Sequence, residues 1–330
     1  MSHPAIPFTL EPRLVSPLWG GRKLAGWLSL PAPHPDRLGE VWLAYEGNRI
    51  LDGAFAGRTL AEATTVLGEA LVGQRSFRRY GARFPLLVKL IDTAATLSVQ
   101  VHPDDAYAAA HEAATGHLGK TEAWYILDAE PGAEVVLGLR QRVDRERFAE
   151  AARGGTLDGL LERHPVAPGD TILVPAGTIH TIGPGITLYE IQQASDLTYR
   201  VYDFGRIDPV TGRSRDLHLD KALDVATLGP AVGLRAAPSR AADGRRLVGC
   251  DSFVLERLDP RDEVHAATDP ASVEILTVVG GRCRLGWDGG SLALAVGGTA
   301  VLPAALGAYG LEKAGSEPAT VLRAFVPDQA

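Results

Sequence analysis

A long series of short apolar runs, from FPLLVKLI at residues 84–91 to ATVLRAFV at residues 319–326, is cut by turn residues nearly everywhere along the chain. Between them lie LSVQVHP, EAWYILD, AEVVLGL, DTILVPAG, ITLYEIQQ and LTYRVYDF, then SFVLERL, SVEILTVV, RCRLGW, SLALAV and TAVLPA. With 37 glycines and 22 prolines to make the turns, this spacing predicts an all-β sandwich or barrel. Helical patterns are fewer: TLAEATTVLGEALVG, PDDAYAAAHEAATG with Pro103 at its start, DRERFAEAARG and LHLDKALDVATL. They do not alternate regularly with the strands, which excludes a doubly wound α/β fold.

One stretch is repeated. APGDTILVPAG (Ala167 to Gly177) is echoed by AVGGTAVLPAA (Ala295 to Ala305), each a Gly-rich turn, a strand and a Pro-Ala corner. Two copies of one β-fold follow, in domains at residues 1–230 and 231–330, with the seam in GPAVGLRAAPSRAADG after the last helix. The first copy carries Gln100, His102, Glu122 and His180; after its corner the second offers only Ala305, Leu306, Gly307 and Ala308. One copy is expected to be active and the other structural.

A formal net charge of -7 with no basic run leaves no electrostatic footprint for nucleic acid or an anionic membrane, so a small molecule is the expected partner. Cys250 and Cys283 have no metal-motif partners, the N-terminus MSHPAIPFTL has no signal pattern, and no apolar run reaches the ~20 residues of a membrane span. A cytoplasmic protein, monomer or homodimer, is expected.

Polar residues interrupt the apolar strands at revealing places. Alternation puts Gln100 and His102 on one face of their strand, Lys120 and Glu122 on one face of the next, and Glu190 and Gln192 on one face of ITLYEIQQ. Lys89 sits inside FPLLVKLI, apolar on both faces, where a buried ammonium needs a partner; Arg200 lies between Tyr199 and Val201. A lone strand histidine is more often a hydrogen-bonded core or surface residue than a metal ligand. Against that stands G-x5-P-x-G-x2-H, met by Gly169, Pro175, Gly177 and His180. ATGHLGKT (Ala114 to Thr121) also fits a loose phosphate-loop pattern, but a helix precedes it and a strand follows, the reverse of what cradling phosphate requires.

The Gly-Pro-Gly-His pattern resembles the second motif of the cupin superfamily, whose members hold one divalent metal inside a jelly-roll barrel. Gln-x-His in place of His-x-His is a departure that resembles the type I mannose-6-phosphate isomerases in their short bacterial form. So do SVQVHPDD, GKTEAWYIL, VPAGTIH and YEIQQASDLTYRVYDFGR, with SPLWGG (Ser16 to Gly21) and GEVW (Gly39 to Trp42) upstream, in order over residues 16 to 206. The last third resembles only a degenerate cupin barrel. The resemblance implies two cupin-type jelly-roll barrels with helices inserted around the first. It also implies a metal held by Gln100, His102, Glu122 and His180, zinc or another divalent ion, one per chain.

By the same resemblance the reaction is the interconversion of mannose 6-phosphate and fructose 6-phosphate through an enediolate. Lys120, Glu190 and Arg200 match active-site positions, with Glu190 or Lys120 for proton transfer and Arg200 for the anion. Lys89 and Ser98 are expected at the phosphate end. For Glu190 and Arg200 the plain alternative is an ion pair between strands. A cupin isomerase for a related sugar or sugar phosphate, and a non-enzymatic metal-containing sugar binder, are the other readings.

Overall fold

The computed structural model describes residues 5–208, 211–231, 235–236, 245–260 and 263–328. The chain is mainly β: its strands form four sheets, antiparallel throughout. A seven-stranded sheet runs in the order Arg235–Ala236, Thr171–Val174, Glu122–Ala129, Ile186–Gln193, Leu86–Asp92, Glu40–Ala44, Arg13–Val15. A five-stranded sheet has the order Tyr199–Tyr202, Val99–Val101, His180–Ile182, Glu134–Leu139, Leu161–Pro165. The C-terminal third builds a four-stranded sheet and most of a six-stranded one, which Phe8–Thr9 joins at its edge by pairing with Thr299–Leu302. The expected seam at 229–244 lies mostly outside the described residues.

Alternation along the strands gives the seven-stranded sheet two interiors. Val88, Leu90, Tyr125, Tyr189 and Ile191 pack with Leu255, Ile275 and Leu322 of the six-stranded sheet. Their neighbours Ile91, Trp124, Ile126 and Leu188 turn the other way, onto Val135, Leu137 and Ile182 of the five-stranded sheet. The six-stranded sheet repeats the arrangement, sending Leu276, Val278 and Leu302 onto Cys283, Leu285 and Leu311 of the four-stranded sheet. Helices Arg145–Arg153 and Leu219–Val225 cover the outer face of the five-stranded sheet through Phe148, Ala152 and Leu223. The layers therefore stack as helices, five strands, seven, six and four.

Every apolar run read as a strand forms one, and the repeat is real in the backbone. Asp170 N–H bonds Ala167 O and Gly298 N–H bonds Ala295 O, so both copies open on the same turn, with Gly169 and Gly297 at positive φ. His180 and Ala308, each thirteen residues beyond the start of its copy, begin equivalent strands. Strands at Glu40–Ala44, His180–Ile182 and Ala308–Lys313, among others, go beyond the apolar runs of the sequence. Pro103 precedes its helix rather than starting it, because Asp104 is the cap, its carboxylate accepting from Tyr107 N–H. Cys250 and Cys283 are free thiols. Among the described residues no helix is long and apolar enough to cross a membrane.

The segment TLAEATTVLGEALVG is two helices. Leu60–Leu67 starts from a Thr59–Glu62 capping box, and Glu69–Tyr80 is interrupted at Gly73, φ +82°. The interruption frees main-chain groups: Val72 O accepts from Val273 N–H and Arg75 N–H donates to Ala271 O, tying the helix to the C-terminal third. A Cβ on Gly73 would stand 2.2 Å from the Ala271 carbonyl carbon. Gly73→Ala should therefore cost at least about 2 kcal/mol of stability, from positive-φ strain and this backbone collision together, measured by denaturant unfolding. An unchanged midpoint would refute the reading.

Candidate metal centre and active site

The faces of the seven- and five-stranded sheets that meet are apolar except at one end. From the seven-stranded sheet, Lys89, Glu122, Glu190 and Gln192 share the inward face with Ile91, Trp124 and Leu188; cross-strand pairing sets Glu190 opposite Lys89 and Gln192 opposite Glu122. From the five-stranded sheet, His180 pairs with Gln100 and Gln100 with Arg200. His102 follows Val101 on the Gln100 side, and Lys120 lies two residues before the Glu122 strand. The polar set expected from the strand period is thus gathered between two sheets.

His102, Glu122 and His180 are each about 1% exposed and offer ligand atoms all within 4.8 Å of one another, the one such cluster among the described residues. Each imidazole has its Nδ1 on a main-chain carbonyl, His102 on Leu197 O and His180 on Thr178 O, both at 2.8 Å. Nδ1 therefore carries the proton and Nε2 presents its lone pair inward. Those lone pairs face Glu122, with Nε2 of His102 3.4 Å from Oε2 and Nε2 of His180 3.3 Å from Oε1. Burial first, and then the Lys120 charge, pushes the His102 pKa down to about 3; burial also lowers His180, so neither ring supplies a proton. Burial opposes the charge on Glu122, but the Lys120 ammonium holds its pKa well below the usual range.

Acceptors thus face an anion, and the group that offers Glu122 positive charge is Lys120. Lys120 compensates in part, its Nζ 2.8 Å from Glu122 Oε2 and donating to His102 Nε2 at 3.1 Å. The donor set, two neutral imidazoles and a carboxylate, is what a borderline divalent cation takes. Gln100 lies alongside with its amide Nε2 3.2 Å from His180 Nε2; turning the amide over would bring its oxygen to that position.

Gln100 and Lys120, which touch the cluster, line a polar cavity of about 310 Å³ together with Lys89, Ser98, Glu190 and Arg200. Burial, then the Glu122 charge, raises the Glu190 pKa to about 7; Trp124 Nε1–H donates to its Oε2 at 3.0 Å. Lys89 stands among three carboxylates, Asp196 at 3.2 Å, Glu40 at 3.6 Å and Glu190 at 3.8 Å, and over the Trp42 ring. Burial opposes its charge, but those anions keep the ammonium protonated. Arg200 donates through Nε to Ser98 Oγ at 3.3 Å and through Nη1 to Asp216 O at 2.9 Å. Glu190 and Arg200 are not each other's partners; Glu190 makes an inter-strand ion pair with Lys89, as the plain alternative has it, while Arg200 bonds Ser98 and a main-chain carbonyl.

Of the nine further residues that line the cavity, six are polar or aromatic and are not singled out by the sequence: Trp19, Glu40, Asp196, Thr198, Arg215 and His218. The first four stand inside motif blocks quoted above, where their company was the available signal. Arg215 is held by Asp203, with Nε to Oδ2 at 2.8 Å, and His218 accepts from Arg200 N–H; both precede the Leu219–Val225 helix, and nothing local marks them. A larger cavity, about 510 Å³, opens beside Arg75 and Arg79, away from this cluster.

The family model for the catalytic domain of type I phosphomannose isomerase matches residues 8–130. The chain is 40% identical over 229 residues to the mannose-6-phosphate isomerase of Streptococcus mutans, covering 68% of this chain and 69% of that one. It is 41% identical over 224 residues to mannose-6-phosphate isomerase ManA of Bacillus subtilis, covering 66% and 67%. A crystal structure of the mannose 6-phosphate isomerase from Bacillus subtilis superposes with a TM-score of 0.83 at 31% identity, covering 97% of this chain and 99% of that one.

If the acceptor cluster holds a cation, adding a divalent metal to chelator-treated protein should raise its melting temperature. At a hundredfold excess over Kd the gain corresponds to about 2.7 kcal/mol. His180→Ala should abolish the response; equal shifts in both proteins would place the binding elsewhere.

Proposed function

The chain belongs to the family of type I phosphomannose isomerases, and from that premise we infer how its cavity interconverts mannose 6-phosphate and fructose 6-phosphate. The observation that carries the reading is the buried His102–Glu122–His180 cluster beside a polar cavity lined by Gln100 and Lys120, which touch the cluster, and by Glu190 and Arg200. Gln100, His102, Glu122 and His180 would hold the metal, one ion per chain and zinc in our reading. When bound, it supplies positive charge beside the sugar oxygens.

Isomerisation breaks the C2–H bond of open-chain mannose 6-phosphate. The electron pair moves into a C1–C2 double bond, leaving an enediolate charge on O1; the O2–H proton passes to O1, and the proton held by the base returns to C1 as the C2=O carbonyl forms. No oxidant or reductant is consumed. The base must be an anion near neutrality at the transfer site, and Glu190, with its pKa raised to about 7, suits that demand better than Lys120, which is ion-paired to Glu122 at 2.8 Å. Lys120 is then the cation for the developing oxyanion. For the phosphate we favour the Arg200–Ser98 end. Lys89, balanced by three carboxylates, contributes to substrate binding chiefly by holding Glu190 and Asp196 in place.

We read the two sheet pairs as two cupin-type jelly-roll barrels, residues 1–230 catalytic and 231–330 without metal ligands. The shared turn at Ala167 and Ala295, and Ala308 at the position of His180, support this. Two unpaired thiols fit a cytoplasmic monomer or homodimer.

A coupled assay with both sugar phosphates, with and without chelator, tests the function; no turnover by metal-replete protein would overturn it. Glu190→Gln should keep one metal per chain and lower kcat by about a hundredfold or more. Loss of the metal in that variant would place the carboxylate in the ligand set instead. Arg200→Met should raise the KM for mannose 6-phosphate at least about tenfold while leaving any turnover of unphosphorylated mannose unaffected in KM.

A further inference from the structure

Lys120 lies outside the regular ladder of its strand, yet its main chain is among the most firmly held in the molecule. Three consecutive N–H groups are each taken by a different element. Gly119 donates to Asp105 Oδ1, Lys120 to Pro103 O and Thr121 to Gln193 Oε1, all at 2.9 Å. The two side-chain acceptors are joined, since Gln193 Nε2 donates to the same Asp105 Oδ1 at 3.0 Å. The other Asp105 oxygen, Oδ2, meets Arg79 Nη2 at 3.0 Å, and Arg79 is itself anchored by Asp251 O. Gly119 is pressed so closely on this corner that a Cβ there would stand 2.4 Å from Asp105 N.

Asp105 is not needed to start the helix it begins, because Asp104 caps it. Nor does it line the cavity. Its carboxylate has all its bonds on the Lys120 segment and the two groups that brace it. A lysine side chain has four rotatable bonds, and an ammonium that must meet both His102 Nε2 and Glu122 Oε2 depends on a backbone that does not drift.

We infer that Asp105 is a positioning residue for the isomerisation: braced by Gln193 and Arg79, it fixes the Gly119–Thr121 backbone so that Lys120 is aimed into the site. The inference rests on the reading that Lys120 acts on the substrate. Asp105→Asn keeps an oxygen that can accept from Gly119 and Gln193 and loses only the ion pair with Arg79; Asp105→Ala loses both.

The experiment is a cycle of Asp105→Ala and Lys120→Met in metal-loaded full-length protein, with Asp105→Asn as rescue, followed by kcat, KM, metal content and melting temperature. Asp105→Ala should lower kcat at least about tenfold with KM nearly unchanged and metal retained; Asp105→Asn should recover most of the loss. On the Lys120→Met background, Asp105→Ala should cost no further kcat, because the group it aims is gone. Additive losses in the double variant, or an unchanged kcat in Asp105→Ala, would overturn the inference. If Asp105→Ala does not fold, Gln193→Leu replaces it in the cycle with the same expected non-additivity. Full kcat in Lys120→Met would overturn the role of Lys120 itself, and the positioning role with it.

Discussion

A carboxylate sealed between two β-sheets, with imidazole lone pairs turned toward it and one lysine ammonium against it, is the constraint that organises this molecule. Removing an ion from water is costly, and an anion facing acceptors adds repulsion to that cost. The arrangement persists only if the frame does not relax around Glu122. The frame is two sheets thick on its C-terminal side and helix-covered on the other, and each histidine is pinned by a main-chain carbonyl. Lys120 relieves part of the repulsion; a divalent cation relieves the rest. Affinity for metal and the strain of burying Glu122 are one free energy seen from two sides.

The same economy of charge governs the cavity beyond the metal cluster. Lys89 is ringed by three carboxylates, and Glu190 is kept partly protonated by burial and by Glu122. A base of ordinary acidity would already be ionised and weak. In this setting the group that must accept a proton is the one whose charge the surroundings resist most.

Much of this was legible in the sequence because strands report themselves. Gln100, His102, Glu122 and Glu190 are polar residues on faces otherwise apolar, and His180 is fixed by glycines and a proline that only a tight corner requires. What stayed hidden depends on long-range pairing. Glu40 reaches Lys89 only because two strands far apart in sequence are neighbours. Asp196, Arg215 and His218 sit in loops, where no periodicity predicts a direction. Pro103 was read as a helix start because proline favours a first turn, but the residue after it caps the helix better. The proximity of Lys89 to three acids could not be read locally: its own strand supplies none of them.

The seven-stranded sheet has no indifferent face, and this limits how such a chain can change over evolutionary time. Tyr189 and Ile191 belong to one interior while Glu190 and Gln192 belong to the other. Loss or gain of a single residue within Ile186–Gln193 would exchange them, driving two polar side chains into the layer shared with the C-terminal third and a tyrosine into the cavity. A lineage of this protein can therefore drift in loop length around the pocket more freely than in the length of any strand buried on both faces.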